Sequence, residues 1–134
     1  MKDQRAFFDT NVLLYLLSDD PRQADQAETL LVRGGVISVQ VLNEFTSVAQ
    51  RKLNMSYDEI GDVLQTILSV LQVEDLSVET HLLARAVVQR YRFSFYDALI
   101  VAAAVLADCN ILYSEDMQSG QRIDDRLVID NPFH

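Results

Sequence analysis

The chain is short of several residue types that usually announce a chemistry. Cys109 is the one cysteine in 134 residues, which excludes a disulfide within the chain and a cysteine-ligated metal site. The two histidines, His81 and His134, have no neighbours that would make a catalytic dyad, and His81 beside Leu82 reads as a surface or hydrogen-bonded side chain. Long apolar runs are also missing: Val12–Leu17 and Phe95–Ala107 are both too short to span a bilayer. The opening Met1-Lys2-Asp3-Gln4-Arg5 does not lead into a signal-peptide pattern, so a soluble cytoplasmic protein is expected. No repeat, low-complexity tract or linker interrupts the chain, and residues 1–134 read as one domain.

Positive charge is scarce as well. Eleven basic residues face twenty acidic ones, for a net charge of −9. That balance disfavours binding nucleic acid through bare charge and favours a basic protein partner. Two features offset it. Two divalent cations would bring −9 to −5, and nine of the eleven basic residues are arginines, the better phosphate ligand.

What the chain has is apolar content, 49%, enough for a real core. It falls into alternating strands and helices. Arg5–Phe8, Val36-Ile37, Gln72–Leu76, Ile111–Tyr113 and Leu127–Ile129 read as short strands. Asp20-Pro21 starts a helix with the stripe Ala24, Ala27, Leu30 and Leu31, which Gly34-Gly35 ends. Ser38 caps a helix carrying Val41, Leu42, Phe45, Val48 and Ala49. Ser56-x-x-Glu59 is a capping box for a helix with Ile60, Val63, Leu64, Ile67, Leu68 and Leu71 inward. Val78–Tyr91 is predicted helical with Leu82, Leu83, Ala86 and Val87 inward, and Arg90-Tyr91-Arg92 reads as its solvated end. Ser94-x-x-Asp97 opens a helix apolar nearly all round, hence central. Strands separated by helices pair in parallel through right-handed crossovers, giving an α/β fold: a three-layer α/β/α sandwich around a parallel sheet of about five strands.

Four carboxylates stand out against this pattern: Asp9, Glu44, Asp97 and Asp116. Asp9 closes the run Ala6-Phe7-Phe8, and Asp116 follows Ile111-Leu112-Tyr113, so both lie beyond strand carboxyl ends, where ligands bind in such sheets. Glu44 and Asp97 lie on helices that begin near that same rim. Each has an ordinary reading. Asp9 can cap a helix starting at Thr10-Asn11, the capping box accounts for Asp97, and Asp116 suits a polar turn. Glu44 resists one, because it sits on an inward stripe between Val41 and Val48. Glu115, Asp124 and Asp125 read as solvated instead. Converging acids repel by roughly 4 kcal/mol per pair at 4 Å and an effective dielectric of 20. They persist only if a cation neutralises them or some stay protonated, and a hard divalent metal is the expected occupant.

The residues around these acids resemble a known family. Phe7-Phe8-Asp9-Thr10-Asn11-Val12-Leu13-Leu14-Tyr15 resembles the opening of PIN-domain nucleases, and Val41-Leu42-Asn43-Glu44-Phe45 their second acidic motif. Phe95–Ala104 is similar to the third, Tyr113–Met117 to the fourth, and Ile129–Phe133 to the last strand and tail. Over its whole length the chain resembles VapC-type toxins. The resemblance implies a sheet order 3-2-1-4-5 and a metal-dependent endoribonuclease. It also implies a homodimer, and a cognate antitoxin that inserts a basic side chain into the acidic site. Asp9, Glu44, Asp97 and Asp116 are then expected to hold one or two Mg²⁺ or Mn²⁺ ions, with a metal-activated water attacking phosphorus. Thr10 and Ser114 are expected to position water or phosphate, and Asn11 to orient a carboxylate.

Other functions fit less well. A phosphoacceptor signalling domain wants a lysine late in its sheet, but the lysines are Lys2 and Lys52. An aspartate-nucleophile phosphatase wants an acid two residues after Asp9, where Asn11 stands. A catalytically silent PIN-like module that binds RNA or protein is the principal alternative, and a DNA substrate is compatible with the same chemistry.

Overall fold

The computed structural model describes residues 4–133; Met1–Asp3, where the signal-peptide reading falls, and His134 lie outside the described residues. In chain order the elements are β1 (Ala6–Phe8), α1 (Thr10–Leu14) with a 3₁₀ turn over Tyr15–Leu17, α2 (Pro21–Leu31), β2 (Val36–Ser38), α3 (Val39–Leu53) and α4 (Tyr57–Val70). They continue with β3 (Gln72–Glu74), α5 (Val78–Tyr91), α6 (Phe95–Leu106), β4 (Ile111–Tyr113), β5 (Arg122–Ile123) and β6 (Leu127–Asp130). The sheet runs β3-β2-β1-β4-β6-β5, and every neighbouring pair is parallel except β5 with β6. Its five parallel strands stand in the expected order. The addition is β5, two residues long, too short to leave a period in the sequence.

Both faces of the sheet are covered. Successive strand side chains point to opposite faces, yet Ala6, Phe7 and Phe8 are all buried, as are Val36, Ile37 and Ser38. Only helices on both sides can bury a parallel sheet in this way. The core joins Phe7, Phe8, Phe45, Leu112 and Ile129, each fully buried. Gly35, just before β2, is fixed by contact: its φ is +154°, and a Cβ there would lie 2.6 Å from the Phe8 ring and 2.7 Å from the Ala6 carbonyl oxygen. Among the described residues no helix is long and apolar enough to cross a membrane.

Helix starts follow the caps in the sequence. Asp20, Ser38, Ser56 and Ser94 each accept a hydrogen bond from a first-turn backbone N–H, and Ser56 with Glu59 closes a full capping box. Ser77 caps α5 in a box with Thr80. At Ser94 the box is half made: its hydroxyl accepts from the Asp97 N–H at 3.2 Å, but the Asp97 carboxylate does not return a bond to the Ser94 backbone.

Two helix faces differ from expectation. On α5, Leu82 is 57% exposed and Ala86 also faces out, whereas Thr80, Ala84 and Val87 are buried. The helix packs along α6, and the small, buried Ala84 suits a close contact. On α4, Ile60 and Ile67 are buried but Leu68 is 48% exposed, because this helix packs chiefly against α3 and covers one flank only.

Candidate active site

The four acids come from four separate parts of the chain and lie along one rim, near enough at the carboxyl ends of β1 and β4 to feel one another's charge. Asp9 follows β1, Glu44 is in α3, Asp97 is in the first turn of α6, and Asp116 follows β4. They form a gradient of burial: Asp9 is 7% exposed, Glu44 and Asp97 are half-buried, and Asp116 is exposed.

Asp9 is locked in place. Its backbone N–H donates to the Tyr113 carbonyl at 2.9 Å, continuing the β1–β4 ladder by one residue. Its Oδ1 accepts from the Thr10 N–H at 2.7 Å, which caps α1, and its Oδ2 accepts from the Ser114 hydroxyl at 2.8 Å. The capping role and a place in the acid group are thus held together. Burial pushes its pKa from 3.8 up to about 6; the Ser114 and Thr10 bonds work against that rise, and the charges of Asp97 and Glu44 add to it.

Glu44 is held from two sides by neutral donors. The Thr10 hydroxyl donates to its Oε1 at 2.7 Å, and the Gln40 amide donates to its Oε2 at 3.4 Å. The same amide nitrogen donates to the Tyr96 carbonyl at 3.2 Å. The Asp97 pKa is also raised, first by burial and then by the charges of Asp116 and Glu44, with the Ser94 hydroxyl opposing. Asp97 therefore feels, or is felt by, each of the other three acids.

The remaining expected site residues take more specific places. Thr10 and Ser114 are buried, and their hydroxyls are committed to Glu44 and Asp9, so here they orient carboxylates. Ser114 Oγ also accepts from the Met117 N–H at 3.2 Å, which ties down the loop carrying Asp116. Asn11 Oδ1 accepts from the Glu115 N–H at 3.4 Å, while its buried Nδ2 has no partner. Tyr15 donates its phenolic hydrogen to Glu115, which with burial and neighbouring acids pushes the phenol up to about 12. Glu115 is exposed, as expected, but it anchors this loop. Gln40 and Tyr15 were not anticipated. The signal for Gln40 was its place four residues before Glu44, one helical turn away.

Two further observations bear on what the site can hold. Neither ion pair found among the described residues, Arg90–Asp124 and Arg126–Asp108, involves any of the four acids. Among the described residues no three His, Cys, Asp or Glu side chains are gathered closely enough to enclose an ion as they stand. A cavity of about 1050 Å³ lined by Arg5, Arg33 and Arg126 opens at the other end of the sheet, and none of the four acids lines it.

A family model of the PIN domain matches residues 6–122. The chain belongs to the PIN domain family. Its PIN fold is shared with solved structures. A toxin–antitoxin complex from Klebsiella pneumoniae superposes with a TM-score of 0.72 at 23% identity, covering 96% of this chain and 98% of that one. DNA-bound VapBC from Salmonella typhimurium gives 0.71 at 19% identity, covering 97% and 99%. VapC20 from Mycobacterium tuberculosis, a toxin that cleaves the sarcin–ricin loop, gives 0.67 at 19% identity, covering 83% and 89%. Among curated proteins none matches the chain.

Proposed function

We propose that this PIN domain is a divalent-metal-dependent endoribonuclease, a VapC-type toxin held inactive by a basic antitoxin segment. The observation that carries the reading is a set of four carboxylates at one rim that no cation of the described residues neutralises. The donor set is all oxygen, as Mg²⁺ and Mn²⁺ prefer, and Asp9, Glu44, Asp97 and Asp116 would hold one or two such ions. When bound, the cation supplies Lewis acidity for in-line attack of water on phosphorus and offsets the charge that develops there. The protein groups do the rest. Above pH 6 Asp9 is ionised and available as a ligand. Ser114 and the Thr10 N–H fix its two oxygens, and the Thr10 hydroxyl fixes one oxygen of Glu44. Asp97, half-buried, and Asp116, exposed, would complete the donor set. Hydrolysis of this kind leaves 5′-phosphate and 3′-hydroxyl ends and needs no 2′-hydroxyl.

The same unneutralised charge supports the partner. A guanidinium or ammonium from an antitoxin would occupy the place of the metal, and a net charge of −9 favours a basic partner. A homodimer in the cytoplasm completes this reading. The separation of the acids favours a second one, a silent module that binds RNA or protein without cutting. Incubating the chain, freed of bound partner, with total cellular RNA and Mn²⁺ decides between them. Discrete fragments with 5′-phosphate ends, absent with EDTA and with Asp9→Asn, are expected. Intact RNA in the presence of Mn²⁺-loaded protein would leave the binding module.

A further inference from the structure

Gln40 is the second residue of α3, 7% exposed, and its Oε1 is buried without a hydrogen-bond partner. Buried polar atoms are nearly always paired, so an orphan calls for a reason. Turning the amide over offers no escape. The oxygen would then face Glu44 Oε2 and the Tyr96 carbonyl, two acceptors that both require a donor. The orientation is fixed by what the Nε2 group does, and the unpaired oxygen is its cost. A methionine or leucine would fill the same volume without that cost, so packing alone does not account for a glutamine here.

The Nε2 group joins two parts of the rim. One partner is the carboxylate of Glu44; the other is the backbone carbonyl of the residue immediately before Asp97. Through this one amide, α3 and the first turn of α6 are tied together at the point where each presents an acid. The tie is also neutral. A lysine or arginine at position 40 would hold Glu44 equally well but cancel its charge, whereas an amide orients the carboxylate and leaves the charge for a ligand.

We infer that Gln40 is a positioning residue of the acid site, whose amide sets the separation of Glu44 from Asp97 by bridging Glu44 Oε2 and the Tyr96 carbonyl. This rests on the metal-binding reading above, and it makes Gln40 act through Glu44 rather than on substrate. Two quantities test it: the Mn²⁺ dissociation constant by calorimetry, and the Tm of the metal-free protein. Gln40→Met is expected to weaken Mn²⁺ binding about tenfold, with a Tm equal to or above that of the unsubstituted chain because the orphan oxygen is gone. In a Glu44→Gln background the same substitution is expected to change Mn²⁺ affinity less than about twofold, since its effect runs through Glu44. Should Gln40→Met fail to fold, Gln40→Leu, equally apolar and unable to donate, is the deciding variant with the same expected loss.

A lowered Tm with unchanged Mn²⁺ affinity would make Gln40 an ordinary core residue and overturn the inference. An equal loss of affinity in both backgrounds would overturn it too. If the unsubstituted chain takes up no Mn²⁺ at millimolar concentration, the metal-binding reading itself fails, and the role of Gln40 fails with it.

Discussion

The two ends of the sheet treat their acids in opposite ways. At the amino ends, Asp108 and Asp124 each meet an arginine, Arg126 at 3.2 Å and Arg90 at 2.7 Å, and Asp124 also receives the Tyr91 hydroxyl. Both have positive φ, 58° and 52°, a conformation that aspartate tolerates better than most residues. Their identity is accounted for by backbone and ion pairs. At the carboxyl ends, Asp9 and Glu44 receive hydrogen bonds from Ser114, Thr10 and Gln40, all neutral. The chain has nine arginines, and none of the described ones is spent in an ion pair there. Pairing was available to this sequence, and one rim does without it. There Asp9 and Glu44 are oriented by neutral donors and left without an ion pair.

The contrast would break most visibly in the proposed RNA cleavage. Asp97→Asn, at the member coupled to all three other acids, is expected to cut the rate by about three orders of magnitude, roughly 4 kcal/mol of transition-state stabilisation, with little change in Tm. Asp108→Asn is expected to leave the rate unchanged. An equal loss in both would erase the distinction between the two ends.

The next effect is in stability. Because the Asp9 carboxyl is raised from 3.8 to about 6 in the folded state, the stability associated with its proton is present below pH 4 and lost as pH rises through 6. Asp9→Asn removes a liability of up to roughly 3 kcal/mol at pH 7.5 but gives up one accepted hydrogen bond, for a net gain of roughly 1–2 kcal/mol. Denaturant melts of the metal-free protein at pH 7.5 and 4.5 check this, with the gain expected only at the higher pH.

A related effect is expected in the proposed binding of Mn²⁺. Proton and cation compete for Asp9, so affinity is expected to fall about tenfold per pH unit below pH 6 and to be nearly flat above pH 7. Calorimetry across that range reads the slope. The smallest effect lies at the other end of the sheet. Arg90→Ala breaks a pair whose side chains are 69% and 40% exposed, and it is expected to cost less than about 1 kcal/mol and leave cleavage intact.

Much of this was legible in the sequence, for identifiable reasons. Strands with buried residues on both faces read as unbroken apolar runs, and helix starts read from Ser38, Ser56 and Ser94, so the parallel sheet and the rim followed. Asp9 stood out because a charge directly after a buried strand has few other places to be, whereas Asp116 lies three residues past β4 and is exposed. What the sequence could not convey was which polar side chain attends which acid. Thr10 and Ser114 lie 34 and 105 positions from the carboxylates they serve. Beyond its spacing from Glu44, Gln40 carries no signal of its own in the sequence, and the Tyr96 carbonyl it binds lies 56 positions away. The face of α5 was misjudged for a related reason: Leu82 and Leu83 are equally apolar, and only the neighbour's shape chooses between them.

Gly35 has a bearing on how such a protein is dissected genetically. Any side chain at that position would drive into the Phe8 ring and the Ala6 carbonyl oxygen, 2.6 and 2.7 Å away, on the strand that leads directly to Asp9. Under the toxin reading proposed above, selection for survivors of its expression would recover substitutions at residue 35 as readily as at residue 97. The first class would be lost to degradation and the second would accumulate as full-length, inert protein. Immunoblotting of the survivors, rather than the growth phenotype, would separate scaffold from chemistry.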